Sequence, residues 1–296
     1  MFDTMIIGQI CMDTNTDFDG RTEHRYGGAV LFSGHAAAAM TTGQVAVIPK
    51  CIPGGEIDPA EAFADCPNVH VFTRPSQANT IMENVYFTAD RERRRSRCLS
   101  VIDGYTPSDI PAEETRVYHL AGLTADDISG EIIQFCARRA DVALDVQCMM
   151  RRVQEDRTLK LFDWEEKKDY LPYIRYLKTD AAEAEALTGT ADREEAARML
   201  YAWGAKEVMI THNTEVLVYD GVAMYRAPLR PRNLSGRTGR GDTTFAGYLV
   251  ARQHMDISEA LNLAAALVSL KMETPGPFTG SREDVSQFMK ETGYWE

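Results

Sequence analysis

Residues 235–247 read Ser-Gly-Arg-Thr-Gly-Arg-Gly-Asp-Thr-Thr-Phe-Ala-Gly, and an apolar helical pattern follows them. Glycine allows a tight turn and a close approach of the backbone to a ligand. Successive backbone N–H groups that enter a helix N-terminus form a nest for negative charge. Asp242 follows this turn directly, so its carboxylate is expected to face whatever the nest binds. A proton acceptor beside an anion site is the minimum needed to move a phosphoryl group onto a hydroxyl.

The same stretch also allows a purely structural interpretation. Aspartate is among the best N-cap residues, and glycine-rich turns are common before helices. Asp242 would then only cap the following helix, which the pattern predicts over residues 243–254. Evidence from the rest of the chain is needed to choose between a catalytic role and a capping role for Asp242.

The composition limits the classes of partner. The chain has 296 residues, a formal net charge of −12, 44% hydrophobic residues and 26% charged residues. These values are ordinary for a globular protein of one large or two modest domains. The negative charge argues against nonspecific nucleic-acid or anionic-membrane binding. It leaves room for an anionic nucleotide, because a few N–H groups and a metal ion can invert the local field.

The cysteines and the N-terminus indicate a cytoplasmic protein. The six cysteines lack C-x-x-C spacing and lack histidines at zinc-site spacing, so we expect free, mostly buried thiols; they are Cys11, Cys51, Cys66, Cys98, Cys136 and Cys148. The first residues lack the basic and apolar regions of a signal peptide. The longest apolar run, residues 263–268, is too short to span a bilayer.

The order of apolar segments predicts an α/β fold. Residues 4–10 form a buried strand pattern with Asp13 near its carboxyl end, where open parallel sheets bind ligands. The diglycine Gly27-Gly28 opens a helix pattern over residues 29–40 that is apolar almost all round. From residue 117 onward, strand and helix patterns alternate. Such alternation predicts a mostly parallel, doubly wound sheet.

Two segments fit this core poorly. Residues 14–26 are polar and could form two short exposed strands, and residues 80–87 alternate in the manner of a half-exposed strand. Residues 91–97 contain five arginines, which suit either a solvated turn or a substrate clamp. Together these segments predict a small β structure that projects from the main body.

Four ordered motifs resemble those of the ribokinase-like, or pfkB-type, carbohydrate kinases over nearly the whole chain. Gly8-x-x-x-x-Asp13 is similar to the family's N-terminal substrate strand, and Gly27-Gly28 to its diglycine. Residues 180–189, Asp-Ala-Ala-Glu-Ala-Glu-Ala-Leu-Thr-Gly, resemble its Asn-x-x-Glu segment. Residues 239–242 resemble its Gly-Ala-Gly-Asp signature.

The resemblance implies a three-layer α/β core and a small discontinuous β lid. The core would comprise residues 1–13, 27–74 and 101–296, and the lid residues 14–26 and 75–100. ATP and Mg²⁺ are the implied donor and cofactor, and a sugar, cyclitol or nucleoside is the implied acceptor. Paired lids in this family make a homodimer possible.

The resemblance also implies roles for individual residues. Asp242 would be the base, and the backbone N–H groups of Gly239, Arg240 and Gly241 would hold the transferred phosphoryl. Asp180 and Glu183 would act through the metal and its waters, although a solvated helix carboxylate is the alternative for Glu183. Asp13, Gly27 and Gly28 would bind the acceptor. The residues implied at the nucleotide are Lys178, Thr211, Asn262 and Gly276.

Several positions depart from the family pattern. Arg240 replaces the usual alanine, and Asp180 replaces the usual asparagine. Residues 211–215 lack the glycines that family members carry at the nucleotide, which leaves the donor open. The usual asparagine after Gly28 is absent, a feature closer to the inositol-kinase-like branch.

The expected activity is transfer of the ATP γ-phosphoryl group to a hydroxyl of a sugar or related polyol. An inositol or nucleoside kinase is the narrower alternative. A noncatalytic nucleotide- or sugar-binding regulator would have no need of Asp242. A dinucleotide-dependent oxidoreductase would carry G-x-G-x-x-G after the first strand, and this chain does not.

Overall fold

The elements of the fold follow the alternation that the sequence predicts. The computed structural model describes residues 1–88 and 93–294, so residues 89–92 of the arginine-rich run lie outside the described residues. The strands are β1 Phe2–Gly8, β2 Cys11–Thr16, β3 Thr22–Gly27, β4 Val45–Cys51, β5 Val69–Val71, β6 Arg74–Pro75, β7 Thr80–Tyr86, β8 Arg94–Ser100, β9 Thr115–Ala121, β10 Asp141–Asp145, β11 Arg151–Val153, β12 Leu159–Leu161, β13 Tyr176–Asp180, β14 Glu207–Thr211, β15 Glu215–Tyr219 and β16 Met224–Pro228.

Helices of very different length connect these strands. They are α1 Ala29–Met40, α2 Pro59–Ala62, α3 Gly130–Ala137, α4 Gln147–Met150, α5 Lys167–Tyr170, α6 Ala181–Thr188, α7 Arg193–Ala202, α8 Arg240–Ala251, α9 Ile257–Lys271 and α10 Arg282–Thr292, with 3₁₀ turns at Pro107–Asp109 and Leu171–Tyr173. None of the helices described is long and apolar enough to cross a membrane.

One large sheet forms the centre of the molecule. Its strand order is β16-β15-β14-β13-β10-β9-β1-β4-β5, with β6 beside β4. The pairs from β14 through β5 are parallel, and β15 and β16 add an antiparallel edge. Every residue of β4 is buried, as expected for a parallel strand that is covered on both faces.

Helices cover both faces of this sheet and give a three-layer architecture. The apolar residues of α1, α8, α9 and α10 pack together in one core. Those of α3, α6 and α7 belong to a second core. The predicted three-layer, doubly wound fold is confirmed.

A separate four-stranded sheet, which we call the lid sheet, has the order β3-β2-β7-β8. The first segment of the lid sheet, formed by β2 and β3, runs from Cys11 to Gly27. It is slightly longer than the lid segment 14–26 that the resemblance implies. Residues 74–75 pair with β4 of the large sheet, so the second segment of the lid sheet starts at Thr80 rather than at 75. That this sheet closes over a ligand stays a prediction.

A short hairpin of β11 and β12 was not predicted. Its residues contact the lid sheet, since the amide of Cys98 donates to the carbonyl of Arg157 at 2.8 Å. The sequence of this hairpin is strongly charged and resembles an exposed loop. Residues 151–161 therefore link the core to the lid sheet.

Candidate active site

The site is built where parallel strands end at one edge of the large sheet. Asp145 ends β10 and lies opposite Lys178 of β13 in the strand register. The Nζ of Lys178 is 2.8 Å from the Oδ2 of Asp145, and both side chains are almost completely buried. Burial alone would lower the pKa of Lys178, but Asp145 and then Glu183 raise it above its ordinary value. Lys178 therefore carries a fixed positive charge inside the site.

A second ion pair lies beside the first. Glu183 is 1% exposed, and its Oε1 accepts from the guanidinium of Arg151 at 3.0 Å. Its Oε2 accepts from the amide of Asp180 at 2.8 Å, while Asp180 accepts from the amide of Glu183. This capping box starts α6. The alternative that Glu183 is a solvated surface carboxylate is wrong.

Helix α8 brings Asp242 into the site. The helix begins at Arg240, and Gly239 is the N-cap with φ 76°, a backbone conformation that favours glycine. Asp242 is thus the third residue of the helix, and the interpretation of Asp242 as its N-cap is wrong. A Cβ atom on Gly239 would lie 2.2 Å from the ring of Phe32. Only glycine lets the turn pack so closely against α1.

The first turn of α8 has the backbone arrangement that the predicted anion nest requires. The first intrahelical bond runs from Thr243 N to Gly239 O at 2.9 Å, so the preceding amides lack partners within the helix. The amide of Arg240 donates instead to the carbonyl of Arg237 at 3.3 Å. A Cβ atom on Gly241 would lie 2.8 Å from the Nζ of Lys178. The nest therefore lies directly beside the buried ammonium group.

The environment of Asp242 alters its acidity. Burial, followed by the negative charge of Asp145, raises the pKa of Asp242 to about 6, while Lys178 and Arg151 oppose that shift. A carboxylate with a raised pKa at a cleft is suited to proton transfer near neutral pH.

One cavity, of about 340 Å³, lies between α8, the hairpin β11–β12 and the lid sheet. Asp13, which is 6% exposed, and Gly28 line it together with Asn84 and Ser96 of the lid sheet. A Cβ atom on Gly27 would lie 2.2 Å from the Oδ2 of Asp13. Gly27 therefore does not line the cavity but makes room for the carboxylate that does.

A second cavity, of about 380 Å³, adjoins the first and shares Asp13, Asp180 and Asp242 with it. Lys178, Thr211 and Gly276, which the family resemblance implies at the nucleotide, line it; their donor contacts stay a prediction. The Oδ1 of Asn213 accepts from Arg240 at 2.7 Å and from Arg237 at 3.3 Å. Asn262 of α9 is not among the described residues that line either cavity.

The two cavities meet at Asp242 and Gly239, which line both of them. The structure adds residues that the sequence did not single out; they are Asp145, Gln147, Arg151, Asn84, Ser96, Asn213 and Lys271. Asp145 could have been found, because it ends a predicted strand of the parallel sheet. The others have no local signal.

The charges at this junction suit a divalent cation. The carboxylates of Asp145, Asp180, Glu183 and Asp242 all influence Lys178, and Arg151 adds one more positive charge. Within the described residues, no three His, Cys, Asp or Glu side chains form a metal site by themselves. Mg²⁺ commonly binds through one or two carboxylates, several waters and substrate phosphates. Asp180 lines both cavities and could hold such an ion. Both oxygens of Glu183 already accept hydrogen bonds, from Arg151 and from the amide of Asp180, so Glu183 would act on the ion only through water.

These features suit group transfer between two small ligands, and comparison with known proteins identifies the family. Residues 77–284 match the pfkB family of carbohydrate kinases. The chain is 34% identical, over 96% of its length and 99% of the other chain, to a pyrophosphate-dependent kinase of the ribokinase family solved with a pyrophosphate analogue and myo-inositol; the TM-score is 0.85.

Two further relatives are informative. One is a pyrophosphate-dependent myo-inositol-1 kinase that was converted into a myo-inositol-3 kinase by replacing an asparagine and a serine with leucine. It is 32% identical to this chain, over 99% of this chain and 100% of the other, and the TM-score is 0.85. The other is a cytidine kinase of Thermococcus kodakarensis, 24% identical over 256 residues, which are 84% of this chain and 88% of that protein.

This chain therefore belongs to the pfkB family of carbohydrate kinases, and its fold is ribokinase-like. Family membership makes it a phosphotransferase of the kind that acts on a carbohydrate or nucleoside.

Loss of the Lys178 ammonium should destabilise the fold. Lys178→Met would leave Asp145 buried without its cation, and breaking a buried ion pair costs about 3–5 kcal/mol. Arg198→Met, which breaks the exposed i,i+4 pair of Arg198 with Glu194, should cost less than about 1 kcal/mol. Urea denaturation of both variants measures the difference. Equal free energies of unfolding for the two variants would show that the buried ion pair contributes little to stability.

Proposed function

We propose that this protein transfers a phosphoryl group from inorganic pyrophosphate to a hydroxyl of a cyclitol such as myo-inositol, with Asp242 as the base. The observation that carries the proposal is the position of Asp242. Its half-buried carboxylate lies in the first turn of α8, beside the proposed nest and Lys178, and lines both cavities. A hydroxyl on one side and a phosphate on the other could both reach it.

Each group in the junction has a part in this reaction. Asp242 accepts the proton as the acceptor oxygen forms its bond to phosphorus and the bond to the leaving phosphate breaks. The N–H groups of the α8 turn and the Lys178 ammonium stabilise the negative charge on the transferred group. A bound Mg²⁺ would neutralise charge on the donor phosphates, with Asp180 and Glu183 holding it through water.

The lining of the donor cavity favours pyrophosphate over the ATP implied by the family resemblance. Arg237 and Arg240 lie at its edge, held by Asn213. Guanidinium groups bind phosphate oxygens with strong, geometrically specific hydrogen bonds. Nucleotide bases usually bind in apolar slots, whereas the strand end at Thr211 is followed here by His212, Asn213 and Thr214. The relatives solved as pyrophosphate-dependent kinases support the same choice.

The lining of the acceptor cavity favours a ring with many hydroxyls. Asp13 is a buried carboxylate that can accept two hydroxyl hydrogen bonds. On the lid sheet, Ser96 Oγ donates to Asn84 Oδ1 at 2.6 Å, and Asn84 Nδ2 donates to Asn15 Oδ1 at 3.1 Å. These groups offer both donors and acceptors to a polyol. A cytidine kinase among the relatives makes a nucleoside the alternative acceptor.

The donor is tested by measuring turnover of myo-inositol with pyrophosphate, ATP, GTP and ADP. Pyrophosphate should support turnover and ATP little or none. Arg240→Ala should lower kcat/KM for pyrophosphate roughly 10–100-fold, as expected for loss of a charged hydrogen bond worth about 1.5–3 kcal/mol. Arg198→Ala, on the exposed surface of α7, is the control and should change nothing. Efficient turnover with ATP alone would refute the proposed donor.

Asp242→Asn tests the base. General-base removal should lower kcat on the order of 10²–10⁴-fold, because the amide cannot take the proton. In the unaltered enzyme, kcat/KM should rise with pH up to about 6, the pKa of Asp242, and then level off.

Stability provides the control for this substitution. Because the folded protein binds the Asp242 proton more tightly than the unfolded chain, Asp242 makes stability fall as the pH rises from 3.8 to about 6. Asp242→Asn removes that contribution, so its melting temperature at pH 7.5 should not decrease. Near-normal turnover in the folded variant would eliminate Asp242 as the base.

Asn84 and Ser96 should determine which hydroxyl is phosphorylated. Replacing both with leucine removes their polar contacts with the acceptor and should change the product isomer while the enzyme remains active. Chiral separation or NMR of the inositol phosphate identifies the position. Ser100→Leu, on the same strand but outside the cavity lining, should leave the product unchanged. An unaltered product from the double variant would show that other residues orient the ring.

A further inference from the structure

Lys271 is a buried lysine at the last position of α9. Its side chain is only 1% exposed, although lysine is almost never fully buried without a partner. Its Nζ donates to two backbone carbonyls, that of Gly236, at 2.6 Å, and that of Thr238. Burial lowers the pKa of Lys271 to about 7, and the negative charge of Asp242 opposes that shift.

These two carbonyls belong to the turn that leads into α8. Gly236 and Thr238 flank Arg237, and Gly239 caps the helix. The amide of Gly236 donates to Met272 O at 2.7 Å, and a Cβ atom on Gly236 would lie 1.8 Å from Thr274 O. The turn therefore packs directly against residues 272–274, which follow Lys271.

Phe32 completes the support of this turn. Its ring contacts Gly239 on one side, and the Nζ of Lys271 lies 5.1 Å from the ring centroid. A cation at that distance is attracted to the ring. Two carbonyl oxygens directed at one buried point repel each other and lack water, unless a cation or donor lies between them. Below its pKa of about 7, where it is protonated, Lys271 supplies both the charge and the donors.

We propose that Lys271 is an internal cation that positions the anion nest: by holding the carbonyls of Gly236 and Thr238 it fixes residues 236–239, and with them the N–H groups and the Asp242 carboxylate at the start of α8. The role rests on the proposed phosphotransfer. Lys271 is a positioning residue, since it contacts the turn and not the reacting atoms. An enzyme with this built-in cation needs no added monovalent cation to order its nest.

Lys271→Ala with chemical rescue tests this role. Its kcat/KM should fall on the order of 10²-fold, the loss expected from misplacing reacting groups by about 1 Å, and kcat should fall more than the KM for myo-inositol rises. Ammonium or methylamine, which can enter the space left by the side chain, should restore part of kcat. Tetramethylammonium, at equal ionic strength, is too large and should restore none.

Lys50→Ala is the matched control. Lys50 is also a buried lysine that donates to a carbonyl, that of Gly104 at 2.9 Å, and it pairs with Asp109 at 3.0 Å. It does not line either cavity described above. Ammonium should therefore have no effect on turnover by Lys50→Ala.

Further measurements separate this role from the proposed function. Hydrogen exchange in residues 236–240 needs no turnover; it should quicken in Lys271→Ala and slow again with ammonium. If the unaltered protein is inactive with every donor, the phosphotransfer proposal fails. Hydrogen exchange in residues 236–240 still tests whether Lys271 orders the turn. If Lys271→Ala does not fold, Lys271→Met, which fills the space without a charge, takes its place.

Two outcomes would overturn the role of Lys271. The first is wild-type turnover and exchange in the folded alanine or methionine variant. The second is a strict requirement of the unaltered enzyme for potassium or ammonium ions, measured against tetramethylammonium at constant ionic strength. That measurement uses only the unaltered protein and so applies even if neither variant folds.

Discussion

The buried ion pair between Lys178 and Asp145 is the interaction on which the site depends. The register of β10 with β13 sets the two side chains opposite one another at the ends of neighbouring parallel strands. Neither charge could remain buried alone, because desolvation of an unpaired ion is too costly. Once paired, Lys178 provides positive charge beside Gly241, and Asp145 raises the pKa of Asp242. One strand pairing thus sets the charge beside both the proposed anion nest and the proposed base.

Local patterns in the sequence predicted the fold and two of the acidic residues in the cavities. The alternation of apolar strands and helices predicted the doubly wound sheet, and Asp242 and Asp13 were singled out because each follows a recognisable turn or strand. Both lie in the cavities. Such residues are found from sequence because the glycine turn or the strand end beside them carries the signal.

The ion pairs around these residues could not be found in the same way. Asp145 and Lys178 are 33 residues apart, and Arg151 and Glu183 are 32 apart, so tertiary structure alone brings each pair together. The charged hairpin at 151–161 gave no local signal in the sequence, yet Arg151 turns inward to a buried carboxylate. For Glu183 the sequence left a solvated helix carboxylate open as the alternative to a metal role, because a capping box does not reveal whether its glutamate is buried.

The glycines explain why the backbone turns can lie so close to the side chains that line the cavities. A side chain on Gly239 would displace Phe32, one on Gly241 would meet Lys178, and one on Gly27 would meet Asp13. Each missing Cβ lets a backbone turn approach a side chain that lines a cavity. Because the carboxylates at the junction repel one another, they stay together only if cations and packing oppose that repulsion. Lys178 and Arg151 supply the cations, and the glycine contacts supply the packing, so the site's charge and its geometry depend on the same few close approaches.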